Sequence, residues 1–161
     1  MKTFEIHITN PKIQLDNSWK ELVIELDKGD TPIQPMFSKY VKASYLLEVI
    51  SEYSNIPADR IKIEQYSNLP NFVEWPEYYE YHIKVNCNKP ELDLQDISAK
   101  LSRNPQKDGR FITLRGYCSK GRIDSRFNKL LERIKEKAYA YSNIQKELVV
   151  YDNNKSLDKG W

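Results

Sequence analysis

A six-residue pattern that occurs twice constrains the fold of this chain more than any other feature of its sequence. The first copy covers residues 4–9 and the second covers 79–84; both read aromatic, Glu, apolar, His, Ile, polar. The two histidines of the chain, His7 and His82, occupy the same place in each copy. Strict alternation of apolar and polar residues is typical of a half-buried strand, whose successive side chains point to opposite faces. The pattern therefore predicts two related strands, each with one polar face.

Alternation, helical spacing and turn residues predict the other elements of the chain. The predicted strands cover 2–9, 20–26, 60–65, 77–86, 111–117 and 148–151, with an extended segment at 31–36. Helices are predicted at 43–53, 91–101 and 123–141, and the residues 66–76 are predicted to be a long connection.

This order of elements contains the sequence β-α-β-β-α-β, which is typical of ferredoxin-like folds. We therefore predict an α+β fold in which helices cover one face of an antiparallel sheet. A chain of 161 residues is long enough for one domain. The repeated pattern also allows a duplicated arrangement of two lobes, at about 1–68 and 77–161.

The composition favours a cytoplasmic protein without a membrane partner. The 25 basic and 23 acidic side chains nearly balance, so net charge does not predict a nucleic-acid or membrane surface. Two cysteines are too few for a disulfide framework, and the sequence has no long apolar run. The sequence does not predict the oligomeric state.

The polar faces of the predicted strands carry the candidate functional residues. They are Glu5, His7, Thr9, Lys62, Glu64, Glu80, His82, Lys84, Thr113 and Arg115. Paired histidines beside lysine and arginine favour an anionic ligand, and we predict a phosphorylated small molecule or a nucleic-acid end.

Two histidines on equivalent strands suit general acid–base catalysis, because an imidazole titrates near neutral pH. We therefore predict His7 and His82 as catalytic residues, with Glu5 and Glu80 orienting the imidazoles. The predicted ligand-binding residues are Thr9, Lys62, Lys84, Thr113 and Arg115. No cofactor is expected.

The segment His7-Ile8-Thr9 resembles a motif of the 2H phosphoesterases, whereas His82-Ile83-Lys84 matches that motif only at the histidine. This superfamily carries two His-x-Thr/Ser motifs on strands of a duplicated α+β fold. The resemblance implies hydrolysis of cyclic or 2′,5′-linked phosphodiesters without a metal.

A second resemblance covers nearly the whole chain and names no reaction. The runs at 31–36, 60–64, 79–84, 101–104, 110–115 and 149–161 are similar to those of an uncharacterised bacterial protein family. The resemblance implies that these runs contribute to one site.

Two alternatives stay open from the sequence. Glu5, His7, Glu80 and His82 could form a metal site, although Lys62, Lys84 and Arg115 disfavour another cation nearby, so we expect no stoichiometric metal. The polar face could instead bind a nucleotide, RNA end or peptide without chemistry. The roles of Gln34, of Arg103 and Asn104, and of the tail 152–161 are not predicted.

Overall fold

The computed structural model describes residues 1–66, 76–117 and 119–161 of the chain. These residues form eight strands, two α-helices and a short 3-10 helix. In chain order they are β1 (Lys2–Pro11), β2 (Lys20–Leu26), β3 (Ile33–Ala43), α1 (Leu46–Tyr53), β4 (Ala58–Tyr66), β5 (Tyr78–Val85), β6 (Lys100–Arg103), β7 (Arg110–Gly116), α2 (Lys120–Glu136), β8 (Tyr141–Asp152) and the 3-10 helix Lys155–Asp158.

The eight strands form one closed antiparallel barrel with the order β1-β3-β2-β6-β7-β5-β8-β4. The two halves of the chain follow the same plan, because each contributes three strands, a helix and a fourth strand. Within each half the strand order is also the same, β2-β3-β1-β4 in the first and β6-β7-β5-β8 in the second. The halves meet where β4 pairs with β8 and where β2 pairs with β6.

Alternation along β1 and β5 places their apolar side chains under the helices and their Glu and His side chains inside the barrel. Phe4, Ile6 and Ile8 of β1 are fully buried in a hydrophobic cluster that includes Val49 and Tyr53 of α1. The intervening side chains of β1 face the inside of the barrel. In the second half, β5 and β7 form an equivalent cluster beneath α2. Each half therefore buries apolar side chains under its own helix. The side chains directed into the barrel are charged and polar, together with apolar ones from β2, β3 and β7.

The spacing of apolar residues explains how α2 is held on the barrel. Ile123, Phe127, Leu130 and Ile134 recur every three or four residues, lie on one face of the helix and are buried. Neither α-helix in the described ranges has the length and apolar character required to span a membrane.

The α+β class and the antiparallel sheet are confirmed, but the ferredoxin-like arrangement is not. The sheet closes on itself instead of leaving one face open to solvent. The predicted division into lobes stays untested, and its predicted boundary, the connection 66–76, lies almost wholly outside the described residues.

The helix predicted at 91–101 is wrong. Leu94 and Ile97 do have helical spacing, but they pack in an irregular segment against the cluster beneath α2. Ser98 adopts a positive φ of 52°, which a helix does not allow. The chain then forms β6, which joins β2 to β7 and so closes the barrel.

Candidate functional site

Both Glu-x-His strands direct their polar faces into one cavity of about 440 Å³ inside the barrel. All eight strands contribute side chains to its lining, which includes His7 and His82. β1 and β5 are not neighbours, because β4 and β8 lie between them. Ion pairs through Glu64, Lys62 and Glu80 connect the two imidazoles, which therefore lie within about 15 Å of each other.

The first histidine cluster consists of Glu5, His7 and Glu64. Glu5 of β1 lies directly opposite Glu64 of β4, and His7 is two residues along the same face. The Nε2 atom of His7 is 2.8 Å from Oε1 of Glu5 and 3.6 Å from Oε2 of Glu64. Tyr66 donates its hydroxyl to the other oxygen of Glu5 at 2.9 Å.

The second histidine cluster consists of Glu80, His82 and Glu147, at the equivalent positions of β5 and β8. Nε2 of His82 is 3.1 Å from Oε1 of Glu80 and 3.3 Å from Oε2 of Glu147. Nδ1 of His82 lies 2.7 Å from the hydroxyl of Thr113 on β7. Both nitrogens of this imidazole therefore have protein partners.

Buried carboxylates favour the protonated form of both imidazoles. Burial opposes the charge on His82, but Glu147 and Glu80 outweigh it and raise the pKa of His82 to about 10. For His7, burial again opposes the charge, and Glu64 and Glu5 raise its pKa above the ordinary value. Glu5 and Glu80 thus lie where the sequence analysis expected groups that orient the imidazoles.

The two buried glutamates added by β4 and β8 differ in charge. Burial favours the neutral form of Glu64, but His7 and Lys62 lower its pKa to about 2. Burial and the nearby Glu64 carboxylate raise the pKa of Glu147 to about 8. At neutral pH one negative charge is therefore held mainly on Glu64.

Lys62 joins the two histidine clusters. Its Nζ atom lies 2.9 Å from Oε1 of Glu64 and 2.8 Å from Oε1 of Glu80. Burial opposes its charge, but these carboxylates raise the pKa of Lys62. This predicted ligand-binding cation is therefore placed between the two halves of the barrel.

Arg115 and Asp158 form a second buried network beside the clusters. Arg115 donates to Oε2 of Glu80 at 2.5 Å and lies 2.7 Å from Oδ2 of Asp158. Arg60 and Gln34 also donate to the Asp158 carboxylate, at 2.5 and 2.7 Å. Gln34, Arg60, Arg115 and Asp158, which come from four separate runs of the sequence, therefore form one hydrogen-bonded group.

The structure separates two predicted ligand-binding residues from the others. Lys62, Thr113 and Arg115 line the cavity together with both histidines, but Thr9 and Lys84 are not among the described residues of its lining. Thr9 is buried between β3 and β4. Lys84 is half-buried at the barrel end, with its Cε close to Gly109.

Several residues of the site were not singled out from the sequence. Glu64 was placed on a polar face but given no role, and Glu147 was not considered. Arg60 and Asp158 belonged to runs without an assigned function, although the Arg-x-Lys-x-Glu alternation of 60–64 already places Arg60, Lys62 and Glu64 on one face.

A basic pocket of about 610 Å³ adjoins the cavity and shares Thr113, Arg115, Asp158 and Trp161 with it. The basic side chains that it adds are Lys100, Arg126, Lys155 and Lys159. The guanidinium of Arg115 lies 5.1 Å from the ring centre of Trp161, so aromatic and basic groups meet at the shared wall.

The two histidine clusters are also the described groups that could hold a metal ion. In each cluster one imidazole nitrogen and two carboxylate oxygens lie within 4.8 Å of one another. Such a set of nitrogen and oxygen ligands suits a divalent transition metal.

No protein-family model, curated protein or solved structure matches the chain in the comparisons with known proteins.

Proposed function

We propose that the barrel interior binds a small phosphorylated molecule, of which a nucleotide or an RNA-end phosphodiester is the best candidate. The observation that carries this proposal is the convergence of Arg60, Lys62, Arg115 and both histidines on one cavity. Its volume of about 440 Å³ lies in the range of small-molecule sites. A ligand held inside a closed barrel would be largely withdrawn from water, which strengthens its interactions with charged groups.

The basic pocket supports an anionic ligand. It presents Lys100, Arg126, Lys155 and Lys159 around the shared Arg115, against the single carboxylate of Asp158. Phosphate groups bind well to such clusters of lysine and arginine. We propose that this pocket is where the anion first contacts the protein.

A phosphate inside the cavity would compete with the carboxylates that now neutralise the arginines. Asp158 accepts hydrogen bonds from Arg60 and contacts Arg115, so its carboxylate occupies the position at which two guanidinium groups converge. A phosphate group bound there would form bidentate contacts with the same arginines. Substitution of Arg115 should therefore weaken ligand binding most.

Hydrolysis of a phosphodiester by His7 and His82 stays part of the proposal, by analogy with the 2H phosphoesterases. One imidazole would first have to lose its proton and would then take a proton from water or a 2′-hydroxyl, while the other, still protonated, would protonate the departing oxygen. Thr113, beside His82, carries the hydroxyl that would contact a non-bridging oxygen in place of the predicted Lys84.

We propose a cytoplasmic location, in keeping with the low cysteine content.

The binding proposal is tested by calorimetric titration with cyclic mononucleotides, cyclic dinucleotides and RNA oligonucleotides ending in a 2′,3′-cyclic phosphate. We expect at least one of these to bind the wild type and Arg115→Lys to weaken it about tenfold or more, since lysine cannot form bidentate contacts. Arg133→Lys, which changes an exposed ion pair with Asp96, is the matched control and should bind as wild type. Absence of binding to every compound would remove the proposal.

The hydrolysis step is tested separately with whichever compound binds. His7→Asn and His82→Asn should each lower the rate by about 10²–10⁴-fold, because each removes a proton-transfer group. Circular dichroism spectra must show that both variants keep the fold. A ligand that the wild type binds but never converts would leave a non-catalytic binding module.

A further inference from the structure

In both histidine clusters one imidazole nitrogen faces two carboxylate oxygens. The Nε2 atom of each histidine lies 2.8–3.6 Å from two carboxylate oxygens. Both nitrogens of His7 are buried, and Nδ1 makes no hydrogen bond among the described residues. Glu64 is 1% exposed, and its carboxylate lies against Lys62, His7 and the Glu147 carboxyl group.

These separations are those expected between ligands of a common cation. Imidazole nitrogens and carboxylate oxygens bind divalent transition metals at about 2.0–2.2 Å, which places neighbouring ligand atoms roughly 3.0–3.5 Å apart in octahedral or tetrahedral coordination. In the second histidine cluster, Nε2 of His82 lies 3.1 Å from Glu80 and 3.3 Å from Glu147. In the first cluster the corresponding values of 2.8 and 3.6 Å bracket the same range.

The repetition of this geometry is a second observation, which does not depend on any one distance. Glu5 lies opposite Glu64 in the pairing of β1 with β4, and Glu80 lies opposite Glu147 in the pairing of β5 with β8. Each histidine follows its strand's glutamate by two residues. Two identical ligand sets at equivalent positions are difficult to attribute to a fortuitous arrangement of buried charges.

We propose that each histidine cluster binds one divalent transition-metal cation, so that the chain holds two. Three protein ligands leave coordination positions open for water or a phosphate oxygen. This inference deepens the proposed function. It rests on that function only in naming a phosphate group as the further ligand of the metal. While a cation occupies a cluster, its histidine would bind the metal and would not exchange protons.

The basic residues nearby do not exclude such cations. The sequence analysis expected no metal because Lys62, Lys84 and Arg115 were thought to crowd the ligands. In the structure Lys84 lies outside the cavity lining, and Glu64 and Glu147 add two carboxylates. Metal ligation takes the neutral imidazole, so each divalent cation would displace the proton of its histidine and add one net positive charge rather than two.

The inference is tested by adding Mn²⁺ to chelator-treated protein and following the loss of the free-ion electron paramagnetic resonance signal. We expect two ions bound per wild-type chain and one in Glu64→Gln or Glu147→Gln, because each variant removes a ligand from one cluster. Glu21→Gln, in the cavity lining but outside both clusters, is the matched control and should still bind two. Elemental analysis with Zn²⁺ provides an independent count.

Folding of the variants must be checked by circular dichroism. Should Glu64→Gln fail to fold, Glu5→Gln removes a less buried ligand of the same cluster and carries the same expectation. The two-site inference would be overturned if the wild type bound no ion or if these variants left the count unchanged. It would also be overturned if the wild type bound one ion and variants of either cluster lost it.

Parallel ligand titrations in chelator and in Mn²⁺ distinguish this inference from the proposed function. Metal uptake without binding of any phosphorylated compound would support the metal sites and remove the phosphate proposal. Binding of a phosphorylated compound in chelator, with no metal uptake, would do the reverse.

Discussion

Asp158 neutralises two buried guanidinium groups at once, those of Arg60 and Arg115. Replacing it by asparagine keeps the shape of the side chain but leaves Arg60 with Gln34 as its remaining side-chain partner in the described structure. An uncompensated buried charge is expensive, and we expect Asp158→Asn to lower the free energy of unfolding by about 3 kcal/mol or more. Denaturant titration measures this. The control, Asp96→Asn at an exposed ion pair, should change stability little.

The same carboxylate predicts how stability depends on pH. Although burial favours the neutral form, Arg115 and Arg60 lower the pKa of Asp158 from 3.8 to about 2. A group whose pKa is depressed on folding stabilises the protein above its unfolded pKa and loses that effect as the pH falls through the folded one. The stability difference between the wild type and Asp158→Asn should therefore be constant above about pH 5 and shrink between pH 4 and pH 2. A difference that does not shrink there would contradict this cause.

At the scale of residues, local pattern predicted the histidine–glutamate pairs but not their partners. Alternation alone places Glu5 with His7 and Glu80 with His82 on common faces, and each pair is in contact. Glu147 could not be found in this way, since residues 141–146, the first half of β8, do not alternate between apolar and polar types. Which carboxylate meets which imidazole depends on strand pairing, and no single strand's pattern contains that information.

The packing of α2 against β7 depends on the absence of a side chain at Gly116. A Cβ atom built there would lie 3.0 Å from Cβ and Cδ1 of Ile123, a fully buried residue. We expect Gly116→Ala to destabilise the protein by about 1–3 kcal/mol through overpacking. Gly121, within α2, has no heavy atom within 4 Å of such a Cβ, so Gly121→Ala should be neutral or stabilising by about 0.5 kcal/mol. Thermal unfolding of both variants checks the pair, and equal effects would contradict the packing argument.

Elements with strong periodicity were predicted well, and those placed by distant contacts were not. The stripe of Ile123, Phe127 and Leu130 correctly indicated α2, which ends at Glu136, five residues before the predicted end. The segment 91–101, which leads into β6, was predicted as helix because its apolar residues have helical spacing. β6 exists because β2 and β7 supply partners for its backbone groups, and this long-range pairing overrides local preference.

The two halves of the chain share one interior, so we expect them to unfold together. Lys62 of the first half contacts Glu80 of the second, and Arg60 contacts Asp158. Calorimetry should give one transition whose calorimetric and van't Hoff enthalpies agree. Phe127→Ala, in the cluster beneath α2, should move that single transition to lower temperature. Two separated transitions would indicate independent lobes instead.

At the scale of the whole molecule, the polar faces were interpreted as one side of an open sheet. An open antiparallel sheet commonly exposes one face to water, so the interpretation followed from the pattern. The alternation is the same when the polar face is enclosed, and closure rests on the pairings of β4 with β8 and of β2 with β6. These pairings join strands far apart in the chain, and for this reason the barrel could not be predicted.

The equivalence of the two halves stops at the residues beside each histidine. His7 lies opposite Lys62 on the neighbouring strand, whereas His82 lies opposite Gln145. Glu5 lies opposite Tyr40, whereas Glu80 lies opposite Arg115. A molecule bound between the histidines, as proposed, would therefore find a basic side chain beside the histidine in the first half but beside the glutamate in the second. The two ends of the cavity are therefore chemically different, and an elongated ligand with unlike ends would bind in one orientation and not in the reverse.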